Sequence, residues 1–108
     1  MIIPGIPDAD SAQVLKLIQR HPSVRRVVLY GSRALGRHRP GSDLDLCLDA
    51  PDMGLGELLE LGGALDDLLL PWPIDLQLRH QIEHKGLLDH LERVGQVLWS
   101  QPGQPSSS

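Results

Sequence analysis

Two aspartates that alternate with leucines are the residues of this chain best suited to chemistry. Asp43 and Asp45 lie in the run Ser-Asp-Leu-Asp-Leu-Cys-Leu, in which leucines occupy positions 44, 46 and 48. Because the side chains of a β-strand alternate between its faces, this pattern predicts a strand with both carboxylates on one face. Carboxylates about 7 Å apart along a strand can share one or two hard divalent cations such as Mg²⁺. Standing alone, however, Asp-x-Asp is more typical of a solvated strand face.

A Gly-Ser pair and a basic loop precede the aspartates. Gly31 and Ser32 follow the apolar run Val-Val-Leu-Tyr, and ten residues separate Ser32 from Asp43. Glycine lets a phosphate approach the main chain, and the first amides of a helix beginning at Ser32 would point toward an anion. Arginines at positions 33, 37 and 39 add guanidinium groups that match phosphate oxygens. Phosphate donors and metal ligands therefore converge, which predicts binding of a metal-bound nucleoside triphosphate.

The Gly-Ser pair, the ten-residue spacer and Asp-x-Asp together resemble the signature of the polymerase-beta-type nucleotidyltransferase superfamily. The segment YGSRALGRHRPGSDLDLCL is similar in particular to the minimal nucleotidyltransferase (MNT) branch, whose members are small bacterial and archaeal proteins. The superfamily has a third carboxylate on a later strand, and Asp75 in Pro-Ile-Asp-Leu-Gln-Leu matches it. The resemblance covers roughly residues 24–100, and the combined motif is more specific than any of its parts.

This resemblance implies an enzyme that transfers a nucleoside monophosphate in the presence of Mg²⁺, with ATP as the favoured donor. The motif positions would supply the catalytic residues and ligands of one or two Mg²⁺ ions, namely Asp43, Asp45 and Asp75. The preceding turn would bind the nucleotide through Gly31, Ser32 and Arg33. Asp75 would either join the catalytic metal or act as base toward an acceptor hydroxyl that attacks the α-phosphorus. Most of the catalysis would come from positioning and charge neutralisation.

The resemblance to family members of this size implies that the protein is the antitoxin of a two-gene toxin–antitoxin pair. The partner of such an antitoxin is a helical HEPN-domain ribonuclease toxin. The implied acceptor is a tyrosine of that toxin, which AMP addition would neutralise within a hetero-oligomer. An exposed apolar face on helix 55–70 or 83–94 would be the docking surface. Two alternatives remain open: a non-catalytic module that neutralises a partner by binding it, and a transferase that acts on tRNA or a small molecule.

Composition limits the other possibilities. A chain of 108 residues with 41% hydrophobic content predicts one globular domain. A net charge of −4 and only two Trp, one Tyr and no Phe argue against an extended nucleic-acid surface or a base-stacking platform. The single Cys47 cannot form an internal disulfide, which favours a cytoplasmic location. No signal peptide or membrane span is expected from the apolar runs.

Strand and helix signals alternate along the chain. They predict a single small α/β (α+β) domain with a twisted mixed sheet of about four strands and helices packed on it. The predicted strands are 24–30, 43–48, 74–79 and 96–99, and the predicted helices are 10–20, a short one after Ser32, 55–70 and 83–94. Residues 1–9 are expected to be an extended lead-in, 10–100 the nucleotidyltransferase domain and 101–108 a disordered tail. If the strand of Asp75 lies beside that of Asp45, all three carboxylates meet on one side of the sheet.

Overall fold

A computed structural model describes residues 2–102 as four α-helices and four β-strands. In chain order the elements are α1 (Asp8–Gln19), β1 (Arg26–Tyr30), α2 (Gly31–Ala34), β2 (Leu44–Asp49), α3 (Leu55–Asp66), β3 (Ile74–Leu78), α4 (Lys85–Val94) and β4 (Gln96–Ser100). A turn of 3₁₀-helix, Arg79–Gln81, lies between β3 and α4. The predicted small α/β domain is confirmed, although α3 ends at Asp66 rather than near residue 70.

The strands form one mixed sheet in the order β3-β2-β1-β4. β1 is antiparallel to both β2 and β4, whereas β2 and β3 are parallel. A parallel pair needs a crossover, and α3 provides it between β2 and β3. This connection carries the chain back to the same end of the sheet, so β2 and β3 both begin there.

One face of the sheet carries the main core. The three leucines of β2 are at most 1% exposed, which fixes the register of that strand. Helices α1 and α3 cover this face and contact each other. Their buried apolar residues include Val14, Leu15, Ile18, Leu61 and Leu65.

The segment before α1 differs from the expected extended lead-in. Ile3 and Ile6 are 0% and 3% exposed and belong to the main core. Helix α1 begins at Asp8, two residues earlier than predicted, after Pro7, whose fixed φ suits a helix start. Ser11, within the helix, is buried as well. Of the predicted tail, residues 103–108 lie outside the described residues.

Helix α4 packs on the opposite face of the sheet, where it contacts β1. Tyr30, Cys47 and Leu91 form a small second cluster there. Burial raises the pKa of the Cys47 thiol to about 11, so this cysteine is a packing residue at neutral pH. Between residues 2 and 102, no helix has the length and apolar character needed to cross a membrane. The end of β2 and β3 where both strands begin remains accessible, and the chemistry-bearing residues lie there.

Candidate active site

β2 carries the Asp-x-Asp pair at its beginning. Leu44 and Leu46 are 1% and 0% exposed on the core face, so Asp45 between them faces the other side of the sheet. Asp45 is half-buried, and Asp43 is exposed immediately before the strand. The alternation predicted from the leucines is therefore present in the structure.

Asp75 lies directly beside Asp45. In the parallel ladder between β2 and β3, these two residues are register partners, and neighbouring strands are about 4.8 Å apart. Asp75 is exposed, while Leu76 beside it packs against the main core. The expectation that the strand of Asp75 neighbours that of Asp45 is confirmed. The register brings the two carboxylates to the same side of the sheet.

The carboxylates at the beginning of β2 and β3 repel one another. The pKa of Asp45 is raised, first by burial and then by the negative charges of Asp75 and Asp43. The positive charge of Arg33 opposes this increase in the pKa of Asp45. Carboxylates that repel one another in this way favour a cation, which would relieve the repulsion.

Gly31 places a tight turn against the same carboxylate. Its φ is +77°, a conformation that side chains of other residues rarely allow. A Cβ atom at Gly31 would collide with Oδ2 of Asp45. Both the backbone conformation and the contact therefore require glycine. Ser32, half-buried, follows in the first turn of α2. That Gly31 and Ser32 bind a nucleotide stays a prediction, but the turn lies where a phosphate would meet the carboxylates.

Arg33 is buried beside the turn. The residue is 1% exposed, and its guanidinium donates hydrogen bonds to the carbonyls of Pro4 at 2.7 Å and Ser42 at 2.8 Å. These bonds make Arg33 a link between the N-terminal segment and the end of the basic loop. That Arg33 binds a nucleotide stays a prediction. The exposed cations of that loop are Arg37 and Arg39.

Two residues that sequence reasoning did not assign to the site complete it. The hydroxyl of Tyr30 donates to Oδ2 of Asp75 at 3.3 Å. Nε2 of His90, on α4, accepts the backbone N–H of Gly31 at 3.1 Å. A signal for His90 exists in the sequence, because it lies three residues after Leu87 and therefore on the inward side of the predicted helix. For Tyr30, its position immediately before the Gly-Ser pair is the corresponding signal.

The donor set suits Mg²⁺ completed by a substrate. Within residues 2–102, no three His, Cys, Asp or Glu side chains are grouped closely enough to form a metal site by themselves. Mg²⁺ usually binds one or two carboxylates and takes its other ligands from water and substrate phosphates. Asp45 and Asp75 supply oxygen ligands of this kind, with Asp43 nearby. The site therefore fits a metal that arrives with a nucleotide better than a metal held in a preformed cage.

Comparison with known families gives the identity of the domain. The model of the family described as "Polymerase beta, Nucleotidyltransferase" matches residues 12–104. The chain therefore belongs to this nucleotidyltransferase family. No curated protein sequence matches it significantly.

Solved structures with the same fold include toxin–antitoxin complexes. A mutant of the MntA–HpeT toxin–antitoxin pair superposes with a TM-score of 0.69 at 22% identity, covering 84% of this chain and 73% of the other. A toxin–antitoxin with AMP-PNP gives a TM-score of 0.68 at 21% identity, covering 90% and 76%. The tri-AMPylated Shewanella oneidensis HEPN toxin in complex with MNT antitoxin gives 0.65 at 21%, covering 87% and 72%. At this identity the likeness is one of fold.

Proposed function

We propose that this protein is a Mg²⁺-dependent adenylyltransferase that transfers AMP from ATP to a hydroxyl of a HEPN-type toxin and so acts as its antitoxin. The observation that carries the proposal is the register of Asp45 opposite Asp75, beside the Gly31 turn, in a chain of the nucleotidyltransferase family. Related folds crystallised with AMP-PNP and with an AMPylated HEPN toxin support the donor and the acceptor.

In this proposal the carboxylates bind the metal, and the turn and the basic loop bind the phosphates. Asp45 and Asp75, with Asp43 at the rim, hold Mg²⁺, which when bound neutralises phosphate charge and the repulsion between the carboxylates. The Gly31–Ser32 turn receives the phosphates at Ser32, whose hydroxyl can donate to an anion, because the Gly31 N–H is already donated to His90. Exposed Arg37 and Arg39 in the following loop add positive charge at its solvent side.

The chemistry is an in-line substitution at phosphorus. The acceptor hydroxyl oxygen attacks the α-phosphorus of ATP and forms a new P–O bond, while the bond to the bridging oxygen breaks and pyrophosphate leaves. The proton of the acceptor passes to a base, and the exposed Asp75 takes this role where Asp43 and Asp45 alone hold the metal. Catalysis comes mainly from holding the reacting groups in line and balancing their charge.

The outward face of α3 is the docking surface that we propose for the toxin. Leu55 and Leu59, one helical turn apart, are 60% and 67% exposed. Gly63 continues this stripe, and nothing lies within 4 Å of a Cβ built there, which leaves room for a partner helix. Residues 43–78 contain nine acidic and no basic residues. Charge complementarity therefore favours an apolar helix flanked by Lys or Arg. A cytoplasmic location, where ATP and Mg²⁺ are available, accords with this function.

The test uses ATP labelled at the α-phosphate. The wild-type protein is incubated with Mg²⁺, labelled ATP and an extract of its source cells, beside Asp45→Asn and the matched control Asp49→Asn. Asp49 shares the strand and facing of Asp45 but lies at its far end. We expect label in one protein with wild type and Asp49→Asn, and none with Asp45→Asn.

Other outcomes separate the alternatives. Label in RNA or in a small molecule would retain nucleotidyl transfer but replace the proposed acceptor. If Asp45→Asn neutralises the toxin as well as wild type does, neutralisation depends on binding and the catalytic proposal is wrong.

A further inference from the structure

His90 joins α4 to the turn at the end of β1. Its Nε2 accepts the N–H of Gly31 at 3.1 Å. Its ring meets that of Tyr30 edge-on, with centroids 6.2 Å apart and an interplanar angle of 81°, a favourable geometry for aromatic pairs. One half-buried side chain therefore contacts two consecutive residues, the last of β1 and the first of α2.

The hydrogen bond determines the chemical state of the imidazole. A ring nitrogen that accepts an N–H cannot carry a proton, so the proton of neutral His90 must be on Nδ1. The amide of Gly31 is the first of α2, and the first amides of a helix have no acceptor within it. His90 provides that acceptor. It also means that the Gly31 amide is already occupied, so phosphates must be held by other groups of the turn.

Both residues held by His90 contact carboxylates of the site. Gly31 lies against Oδ2 of Asp45, closely enough that a Cβ would collide with it. The Tyr30 hydroxyl donates to Oδ2 of Asp75 at 3.3 Å. A displacement of His90 would therefore remove a hydrogen bond from the turn beside Asp45 and a ring contact from the tyrosine bonded to Asp75.

We propose that His90 is a positioning residue of the transfer reaction, which sets the relative placement of the Gly31 turn and of the carboxylates Asp45 and Asp75. The inference rests on the proposed function and adds to it a residue on α4, far along the chain from the Gly-Ser and Asp-x-Asp motif. His90 touches no reacting atom, and it acts through Gly31 and Tyr30.

The test compares His90→Ala with His90→Gln. The amide oxygen of glutamine can accept the Gly31 N–H, whereas alanine cannot. Initial rates of AMP transfer are measured against ATP concentration with labelled ATP, Mg²⁺ and source-cell extract. We expect kcat of His90→Ala to fall about 10–100-fold, with a smaller change in KM and an unchanged melting temperature. His90→Gln should regain most of the rate. His80→Ala, the same change at an exposed histidine, is the matched control and should behave as wild type.

A second measurement, by NMR, uses only the wild-type protein. The ¹⁵N chemical shifts of the wild-type imidazole should show Nε2 unprotonated and Nδ1 protonated at neutral pH. A protonated Nε2, or wild-type kcat in folded His90→Ala, would overturn the inference while leaving nucleotidyl transfer in place. A wild-type protein that neither binds AMP-PNP with Mg²⁺ nor transfers label would overturn the proposed function and this inference together.

Discussion

Asp45 lies against two other parts of the candidate site, the strand of Asp75 and the Gly31 turn. It is half-buried on β2, pairs in register with Asp75 and lies under the Gly31 turn. Its raised pKa, caused first by burial and then by the neighbouring carboxylates, means that the folded protein disfavours its ionised form. An empty site is therefore electrostatically strained at neutral pH, and a bound cation relieves that strain.

The first prediction follows from the sign of this shift. A raised pKa in the folded state makes the metal-free protein less stable as pH rises from below 3.8, the unperturbed value, through the raised pKa. Asp45→Asn should therefore be more stable than wild type at neutral pH without metal, and the difference should vanish in acid.

The same change should reduce AMP transfer by about 10²–10³-fold. Urea denaturation at several pH values and the labelled-ATP assay check these points.

Mg²⁺ provides the control for that prediction. Added Mg²⁺ with AMP-PNP should raise the melting temperature of wild type more than that of Asp45→Asn, because the ligand binds the folded state only. Equal increases in the two proteins would contradict the assignment of Asp45 to the metal.

Arg33 has a structural role that its position in the motif does not predict. The sequence places it directly after the Gly-Ser pair, where a guanidinium would suit a phosphate. Residues distant in sequence determine the outcome: the buried isoleucines of the N-terminal segment bring the carbonyl of Pro4 within 2.7 Å of the guanidinium. Such a partner cannot be identified from local spacing.

The second prediction concerns this buried cation. Arg33→Met should lower the free energy of unfolding by about 1–3 kcal/mol, because the carbonyls of Pro4 and Ser42 lose their donors inside the protein. Chemical denaturation measures the change. Arg37→Met, at an exposed position of the same loop, should stay within about 0.5 kcal/mol of wild type. Equal effects of the two substitutions would argue against a structural role for Arg33.

Helix α3 both connects the parallel strands and presents an apolar face to solvent. Its inward leucines, Leu61 and Leu65, are at most 2% exposed, whereas Leu55 and Leu59 face outward. The helical period in the sequence predicted the element. It did not predict which leucines are buried, because leucines occur on several sides of the helix.

The third prediction tests that outward face. Leu59→Glu should leave the stability of the isolated protein within about 0.5 kcal/mol, since the side chain is 67% exposed. It should weaken toxin binding by about 1–2 kcal/mol, a factor of roughly 5–30. Calorimetric titration with the toxin measures the affinity. Leu69→Glu, at an even more exposed leucine beyond the end of α3, should bind as wild type does; comparable losses would mean that α3 is not the docking surface.

Basic residues are unevenly distributed along the chain. Basic residues occur from position 16 to 39 and again from 79 onward, whereas the segment between carries only negative charge. This segment includes β2, α3 and β3, and therefore both the carboxylate site and the proposed docking surface. Charge of one sign over this part of the molecule steers a basic partner toward it.

The fourth prediction follows from this distribution. Association with the toxin should slow as salt is added, because exposed charges are screened over about 10 Å at 0.1 M ionic strength, while dissociation changes less. Surface-plasmon measurements at low and high salt check this. Glu60→Lys should slow association at low salt, whereas Lys16→Glu, which adds negative charge, should not. A salt-independent association rate would contradict electrostatic steering.

The sequence was enough to predict the strands, but it did not predict the contacts between residues distant along the chain. The alternation of apolar residues in β2 and β3 was enough to predict both strands and their facing, whereas Asp75 was assigned to the site of Asp45 through the family resemblance. The residue pairs Arg33–Pro4, His90–Gly31 and Tyr30–Asp75 were not predicted, because each joins segments whose relative placement depends on packing of the complete core. Local pattern thus gives the elements and the carboxylates, and tertiary packing determines the residues that hold them.

The order of the strands has a consequence for thermal behaviour. β3 carries Asp75 at an edge of the sheet and pairs only with β2 among the described strands. Edge segments held by one ladder open locally at lower free energy than central strands do. When β3 separates, Asp45 stays on β2, which is still paired with β1, while its partner carboxylate is lost. Transfer activity should therefore decline on warming before the sheet as a whole melts, and amide hydrogen exchange should be faster in β3 than in β1.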